Sequence, residues 1–180
     1  MLIPVIVAIV LLLIIAGLYN SLVTKRNRVK EAYSQIDVQL KRRSSLIPNL
    51  VEAVKGYVKH EKDVLTEVTQ ARAALMGAKG PKEQAAANDQ LSGALKSLFA
   101  VAEAYPNLKA SENFKELQEE LSDTETKVAA ARQFYNGNVL DYNTSIEQFP
   151  NSVFANIFHF TPEEFFKASE DEKKDVEVKF

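Results

Sequence analysis

Residues 1–47 read MLIPVIVAIVLLLIIAGLYNSLVTKRNRVKEAYSQIDVQLKRRSSLI, and the reading of this stretch decides the fold. Its first 19 positions carry no charge and almost no polar atom. A helix of roughly 17–25 apolar residues is long enough to cross a bilayer. Pro4 falls in the first turn, where its missing N–H removes no hydrogen bond. No Gly or Pro lies between Leu18 and Ile47. The membrane helix is therefore expected to run straight into the body, and residues 2–47 as one helix would span about 69 Å.

Two other readings of the apolar run fit less well. A cleaved signal peptide needs a basic leader, a shorter apolar core and a small-x-small exit. No Lys or Arg precedes the run, and Leu18 and Tyr19 are bulky where a peptidase needs small residues. The chain has no cysteine, so no lipid can be attached there. A buried core helix seldom carries so unbroken an apolar face. Basic residues flanking a span face the cytoplasm. Lys25, Arg26, Arg28 and Lys30 all follow the span, so the N-terminus is expected outside and the body in the cytoplasm. The expected organisation is a transmembrane helix over 1–23, a helical-bundle domain over 24–167 and a charged tail over 168–180.

The net charge of −2 conceals an asymmetry. Residues 24–43 hold Lys25, Arg26, Arg28, Lys30, Lys41, Arg42 and Arg43 against Glu31 and Asp37, a net of +5, which leaves −7 elsewhere. A basic root under an acidic body suits anionic lipid, where each nearby Lys or Arg contributes roughly 1 kcal/mol. The same charges also serve as topology determinants on a solvated helix face. An acidic body argues against nucleic acid. The absence of cysteine excludes disulfides and thiolate metal sites.

Beyond the span the periodicity is helical. From Val29 to Leu75, spacings of three and four pick out 14 positions, of which 12 are apolar. That is a coiled-coil-like stripe, interrupted by Arg43 and Glu61. Pro48 is expected to kink this helix without ending it. Gly77 to Pro81 stops it. A second helix is expected over about 82–104 with Leu91, Leu95, Leu98, Ala102 and Tyr105 on its stripe. A third runs from an N-cap at Ser111 to Pro150, with Phe114, Leu121, Val128, Tyr135, Val139, Tyr142, Ile146 and Phe149 inward. Asn151 to Phe160 is Phe-rich, including Phe158 and Phe160. Thr161-Pro162-Glu163-Glu164 then has the form of a capping box opening a short fourth helix. The fold class is thus all-α: a transmembrane helix continuing into an antiparallel bundle of three long helices and a short C-terminal helical segment.

Catalytic patterns are sparse. His60-Glu61 opens like a zinc-protease helix, but the second ligand position is Val64, so His60 reads as a surface histidine. His159 reads as a packing or partly exposed residue. Gly77 to Gly80 lacks the phosphate-loop pattern. No catalytic, cofactor or metal residues are expected. Two polar clusters are denser than a solvated face requires. One is Lys41, Arg42, Arg43, Ser44 and Ser45 beside Pro48 and Asn49. The other is Arg132, Gln133, Tyr135 and Asn136 with Tyr142 and Asn143. Such side chains either fix helix register through hydrogen bonds or present a docking surface.

At these clusters the chain resembles the bacterial LemA family. The matching words are Tyr19-Asn20, Asp37 to Arg43, Leu46-Ile47-Pro48-Asn49-Leu50-Val51, Val54-Lys55-Gly56-Tyr57, His60-Glu61 and Ala71-Arg72. Glu103-Ala104-Tyr105-Pro106, Ala131 to Asn136, Tyr142-Asn143 and Phe149-Pro150 complete the series. Ser45 and Asn107 stand where the family commonly has Asp. The resemblance implies a single-pass membrane protein with a helical-bundle domain and no catalytic residues. It implies an accessory or scaffolding role, with one branch associated with magnetosome membranes. Genes of the family often neighbour a membrane zinc protease of the HtpX type, which makes such a protease a candidate partner. The expected function is a non-enzymatic, self-associating membrane scaffold or adaptor. The alternative is a membrane-organising protein whose basic root binds anionic lipid.

Overall fold

The computed structural model describes residues 2–58 and 61–166. His60 and the tail over 168–180, each given an expected role above, lie outside these residues. Among the described residues there are six helices and no strand: α1 (Leu2–Lys55), α2 (Lys62–Gly77), α3 (Gly80–Ala102), α4 (Pro106–Ala110), α5 (Glu112–Glu147) and α6 (Asn151–Ile157).

Helix α1 bears out the expectation of continuity. Its 54 residues pass from the apolar run into the body unbroken, a length of about 81 Å. Pro48 lies inside it and does not end it. The helix stops instead near Gly56, where Tyr57 and Val58 donate backbone hydrogen bonds to the Val54 carbonyl at 2.9 and 3.1 Å. This corrects the single stripe read from Val29 to Leu75. Glycine is a poor helix former, and burial of Val58 turns the chain inward. Helix α2 then runs back along α1. Arg72 Nε donates to the Ser44 carbonyl at 2.9 Å, which fixes this antiparallel register.

Gly80, at φ +76°, reverses the chain between α2 and α3, a conformation that other residues adopt only with strain. Helix α3 rises beside α1, with Gln84 reaching Asp37 at 3.5 Å and Asn88 meeting Arg43 at 2.7 Å. Helix α5 descends along α1: Arg42 pairs with Glu120 at 2.8 Å, Tyr33 with Tyr135 at 5.7 Å between ring centroids, and Lys25 with Asp141 at 2.7 Å. The body is thus an up-down-up-down arrangement of four long helices rather than three. The inner stripes expected from period 3.5 are buried at Val29, Ile36, Leu40, Ile47, Leu50 and Val54 on α1. They are buried likewise at Leu91, Leu95 and Leu98 on α3 and at Leu121, Val128 and Val139 on α5. Each such side chain contributes roughly 1.5–3 kcal/mol by leaving water.

The bundle is not equally thick along its length. Gln84, one turn into α3 from Gly80, meets Asp37, one turn above Tyr33 on α1, so the α2–α3 hairpin turns near the level of Tyr33. Below it, from Tyr33 to Tyr19, α1 and α5 form a two-helix stalk about 21 Å long. Residues Phe160 to Phe166 lie along this stalk as an extended strap. A helix opening at Thr161 is therefore overturned, while Asn151–Ile157, just before it, is helical. Helix α6 closes with His159 at φ 56°; Phe160 N–H donates to the Ala155 carbonyl at 2.9 Å and His159 N–H to the Asn156 carbonyl at 3.4 Å. This is the Schellman pattern, with His in the left-handed position usually held by Gly. Ser111 occupies the N-cap position of α5, but its side chain makes no capping bond.

Arg43 is 2% exposed and the largest fully buried side chain. Its Nη1 donates to Asn88 Oδ1 at 2.7 Å, and its Nη2 lies 3.6 Å from Glu125. Burial lowers its pKa, and Glu125 and Asp89 oppose that shift. A buried charge is tolerated while its partners remain and is costly when one is removed. Asn88→Ala should therefore destabilise the detergent-solubilised protein by about 2–3 kcal/mol in chemical unfolding, by leaving a charged donor unmet. Arg43→Met, which removes the charge and keeps the volume, should cost much less.

Candidate functional site

The second polar cluster is a clamp for the strap. The Asn136 side-chain amide donates to the Phe166 carbonyl and accepts from the Phe166 N–H, both at 2.9 Å. Asn143 repeats the arrangement with Glu163, donating at 3.0 Å and accepting at 2.9 Å. Next to each Asn on α5 a tyrosine adds a bond: Tyr135 donates to the Glu164 carbonyl at 2.7 Å and Tyr142 to the Thr161 carbonyl at 3.0 Å. The spacing explains the fit. Asn136 and Asn143 are one heptad apart, about 10.5 Å along a helix, and three extended residues from Glu163 to Phe166 cover nearly the same distance. Backbone bonds satisfied in this way outweigh the helix that the Thr161–Glu164 pattern would otherwise start.

Aromatic contacts seal both ends of the strap. Phe160 is buried, 5.7 Å from the Tyr19 ring and under the Arg26 guanidinium at 5.2 Å. Phe166 is buried beneath Arg132 at 5.4 Å. Phe158, half-exposed, meets Tyr19 edge-on at 5.0 Å. The Tyr135 hydroxyl is pushed up to about 12, first by burial and then by the carboxylates of Glu163 and Glu164 and by Tyr33. Tyr142 is raised by burial and by Glu163, with Arg26 opposing.

The first polar cluster is divided. Arg43 and Ser44 point inward, whereas Lys41, Arg42, Pro48 and Asn49 are exposed. Lys41 pairs with Asp37 one turn away at 2.6 Å, and Arg42 bridges to α5 through Glu120 and Asp123. In the basic root, Lys25 is held by Asp141 and Arg26 by Phe160, while Arg28 and Lys30 are exposed. Lys41 to Arg43 stand about 33 Å along α1 from Tyr19. That is several Debye lengths from any headgroup when the rod stands upright. The two expected clusters thus do not converge on one site.

A feature absent from the sequence reading is an open groove between α1 and α5. It has a volume of about 730 Å³ and is lined by Glu31, Gln35, Val38, Lys127, Ala131 and Phe134 among others. Val38 is 60% exposed and Phe134 54% exposed. Both lie off the inward stripes, and that misplacement of large apolar residues was the available signal. Asn88 and Glu125, the partners of Arg43, lie on separate helices with no common sequence pattern. Among the described residues no cluster of three or more His, Cys, Asp or Glu side chains is arranged for a metal ion.

The family model for the LemA family matches residues 32–180. The chain belongs to the LemA family. It is 30% identical to Protein LemA of Metamycoplasma hominis over 90% of this chain and 74% of that relative. It is 24% identical to the magnetosome protein MamQ of Magnetospirillum gryphiswaldense, covering 82% of this chain and 64% of that protein. For magnetosome protein MamQ 2 of Paramagnetospirillum magneticum the identity is 25%, with 83% and 64% covered. The chain thus spans somewhat less than two thirds of these magnetosome relatives. Family membership and the apolar end of α1 point to a membrane-associated protein.

Two outcomes test the clamp. Asn136→Ala and Asn143→Ala should each cost about 1–3 kcal/mol, because each strands a backbone N–H and carbonyl. Hydrogen exchange at Glu163 and Phe166 should accelerate in these variants while exchange within α3 stays slow. The second outcome concerns pH. Protonated Tyr135 is the donor to the strap, and its folded pKa of about 12 lies above the ordinary tyrosine value of about 10. Its contribution is therefore complete below about pH 10 and lost as pH rises through about 12. Tyrosinate absorbance should show a late-titrating component that Tyr135→Phe removes.

Proposed function

We propose that this LemA-family protein is a membrane-anchored, non-enzymatic scaffold that self-associates side by side through the α1–α5 groove. The observation that carries the reading is the groove itself, in which Val38 and Phe134 stand exposed over the small side chains Ala130 and Ala131. Copies anchored in one bilayer share a single orientation. A two-fold axis along the rod then lets Phe134 of one copy enter the groove of the other, a self-complementary contact. The names of the MamQ relatives, magnetosome proteins, are compatible with a structural role. The basic flank after the span supports an outside N-terminus and a cytoplasmic body. A membrane protease of the type implied by the family, or another membrane protein, is the competing occupant of the groove.

The competing reading, in which the basic root collects anionic lipid, is left with Arg28 and Lys30. The other five basic residues between 25 and 43 are engaged within the fold or stand far from the headgroups.

The chain has no cysteine, so single cysteines report cleanly. In native membranes Phe134→Cys should cross-link to a second copy, and Ser97→Cys on the exposed face of α3 should not. Phe134→Glu should reduce the size of the gently extracted particle. A monomer on gentle extraction, without cross-linking at position 134, contradicts self-association, and a cross-link to a different protein favours the protease or another partner. Protease added to right-side-out vesicles should leave the body intact.

A further inference from the structure

The two longest charge-free stretches of the sequence, residues 1–24 and 148–162, meet where Tyr19 touches Phe158 and Phe160. The Lys25–Asp141 ion pair fixes the level of α5 against α1. Six residues below Lys25 lies Tyr19, the last residue of the apolar run. Six residues beyond Asp141 lies Glu147, the end of α5. Both steps are about 9 Å, so α5 ends level with Tyr19. The chain that follows, Gln148 to Phe158, therefore lies at or beyond the point where α1 enters the membrane. Helix α6 packs on α1 there. Ile15 and Leu18 are the two residues of Leu2–Leu18 that are partly covered, so the contact reaches about one turn further along the apolar run than Tyr19.

This corner presents apolar side chains outward. Phe149, expected on the inward stripe of α5, is 85% exposed, and Ile157 is 61% exposed. Val153, one turn before Ile157, and Phe158 are exposed beside them. In water such a patch is unfavourable, whereas Phe and Ile on an uncharged helix partition into the headgroup–acyl boundary. Of the charges flanking the stretch, Glu163 lies on the body side, paired through its backbone with Asn143, and Glu147 stands level with Tyr19 at the boundary.

We infer that the α5–α6 corner is a second membrane contact, with Phe149, Val153, Ile157 and Phe158 embedded in the bilayer interface beside α1. The inference rests on the reading that α1 spans the membrane. The rod is then held at two adjacent points, which restricts its tilt and its rotation about the α1 axis. Lipid is the occupant because the patch is continuous with the membrane span and level with its exit.

The test uses the full chain in phosphatidylcholine–phosphatidylglycerol vesicles carrying brominated lipid. Single cysteines at Leu11, Val153, Ile157 and Gln35 are labelled with an environment-sensitive fluorophore. Leu11→Cys should be quenched by bromines deep in the acyl chains. Val153→Cys and Ile157→Cys should be blue-shifted and lose fluorescence to bromines near the headgroup. Gln35→Cys, high on the body, should be insensitive. If Leu11 is quenched while Val153 and Ile157 are not, the corner is overturned and the span stands, whether their emission is water-like or shows cover by a second copy. If Leu11 is not quenched, the span fails and the corner with it.

Discussion

The structure depends on one constraint: the backbone of α1 never has to end where the membrane does. Inside hydrocarbon every backbone N–H and carbonyl needs an internal partner. A helix that stopped at Tyr19 would leave its last carbonyls to be satisfied at the boundary. Here the i to i−4 ladder runs from the apolar end into the body with no Gly or Pro between Leu18 and Ile47, and at Pro48, which has no N–H to give, the helix continues to Lys55 while the Ser44 carbonyl accepts from Arg72. The direction of the span is therefore the direction of the body's principal helix. Rotation of the anchor turns the α1–α5 groove and the stalk together.

The remaining architecture follows from covering one long helix with shorter pieces. Helices α2 and α3 protect its upper part and turn near the level of Tyr33. Helix α5 continues toward the membrane, and two helices cannot by themselves enclose an apolar stripe. The strap supplies the third side. Its polar backbone would be a liability against Leu22, Val29 and Val139, but Tyr135, Asn136, Tyr142 and Asn143 meet it bond for bond. Aromatic rings at each end complete the cover. Arg43 has the equivalent role higher up, where a charge set in the stripe of α1 ties α3 and α5 to it through Asn88 and Glu125.

Much of this was legible in the sequence because burial imposes period. The apolar run, the continuity through Leu18 to Ile47 and the inward stripes of α1, α3 and α5 all appear in the residues themselves. Family resemblance was legible in the same words, since Leu46 to Val51 and Ala131 to Asn136 lie where helices meet. The break at Gly56 was hidden because the stripe keeps its phase from Val54 to Val64 across the turn, so two antiparallel helices imitate one. The strap was hidden for a different reason. Thr161 to Glu164 carries a genuine helix-start pattern, and only the Tyr-Asn pairs of α5, repeated at heptad spacing, reveal that the backbone finds better partners. The groove at Val38 and Phe134 and the outward Phe149 violate the stripes, and residues that break the pattern are where a fold meets something outside itself.

The central claim is that span and body share one rigid helix. It is tested most directly by a spin-label distance between cysteines replacing Leu12, in the span, and Lys30, in the stalk, with full-length protein diluted in vesicles. Both positions are exposed and lie five helical turns apart on one face. A continuous helix predicts a single narrow distribution centred near about 27 Å. A broad distribution, or one centred well below that distance, would show a joint at Tyr19 and contradict the account.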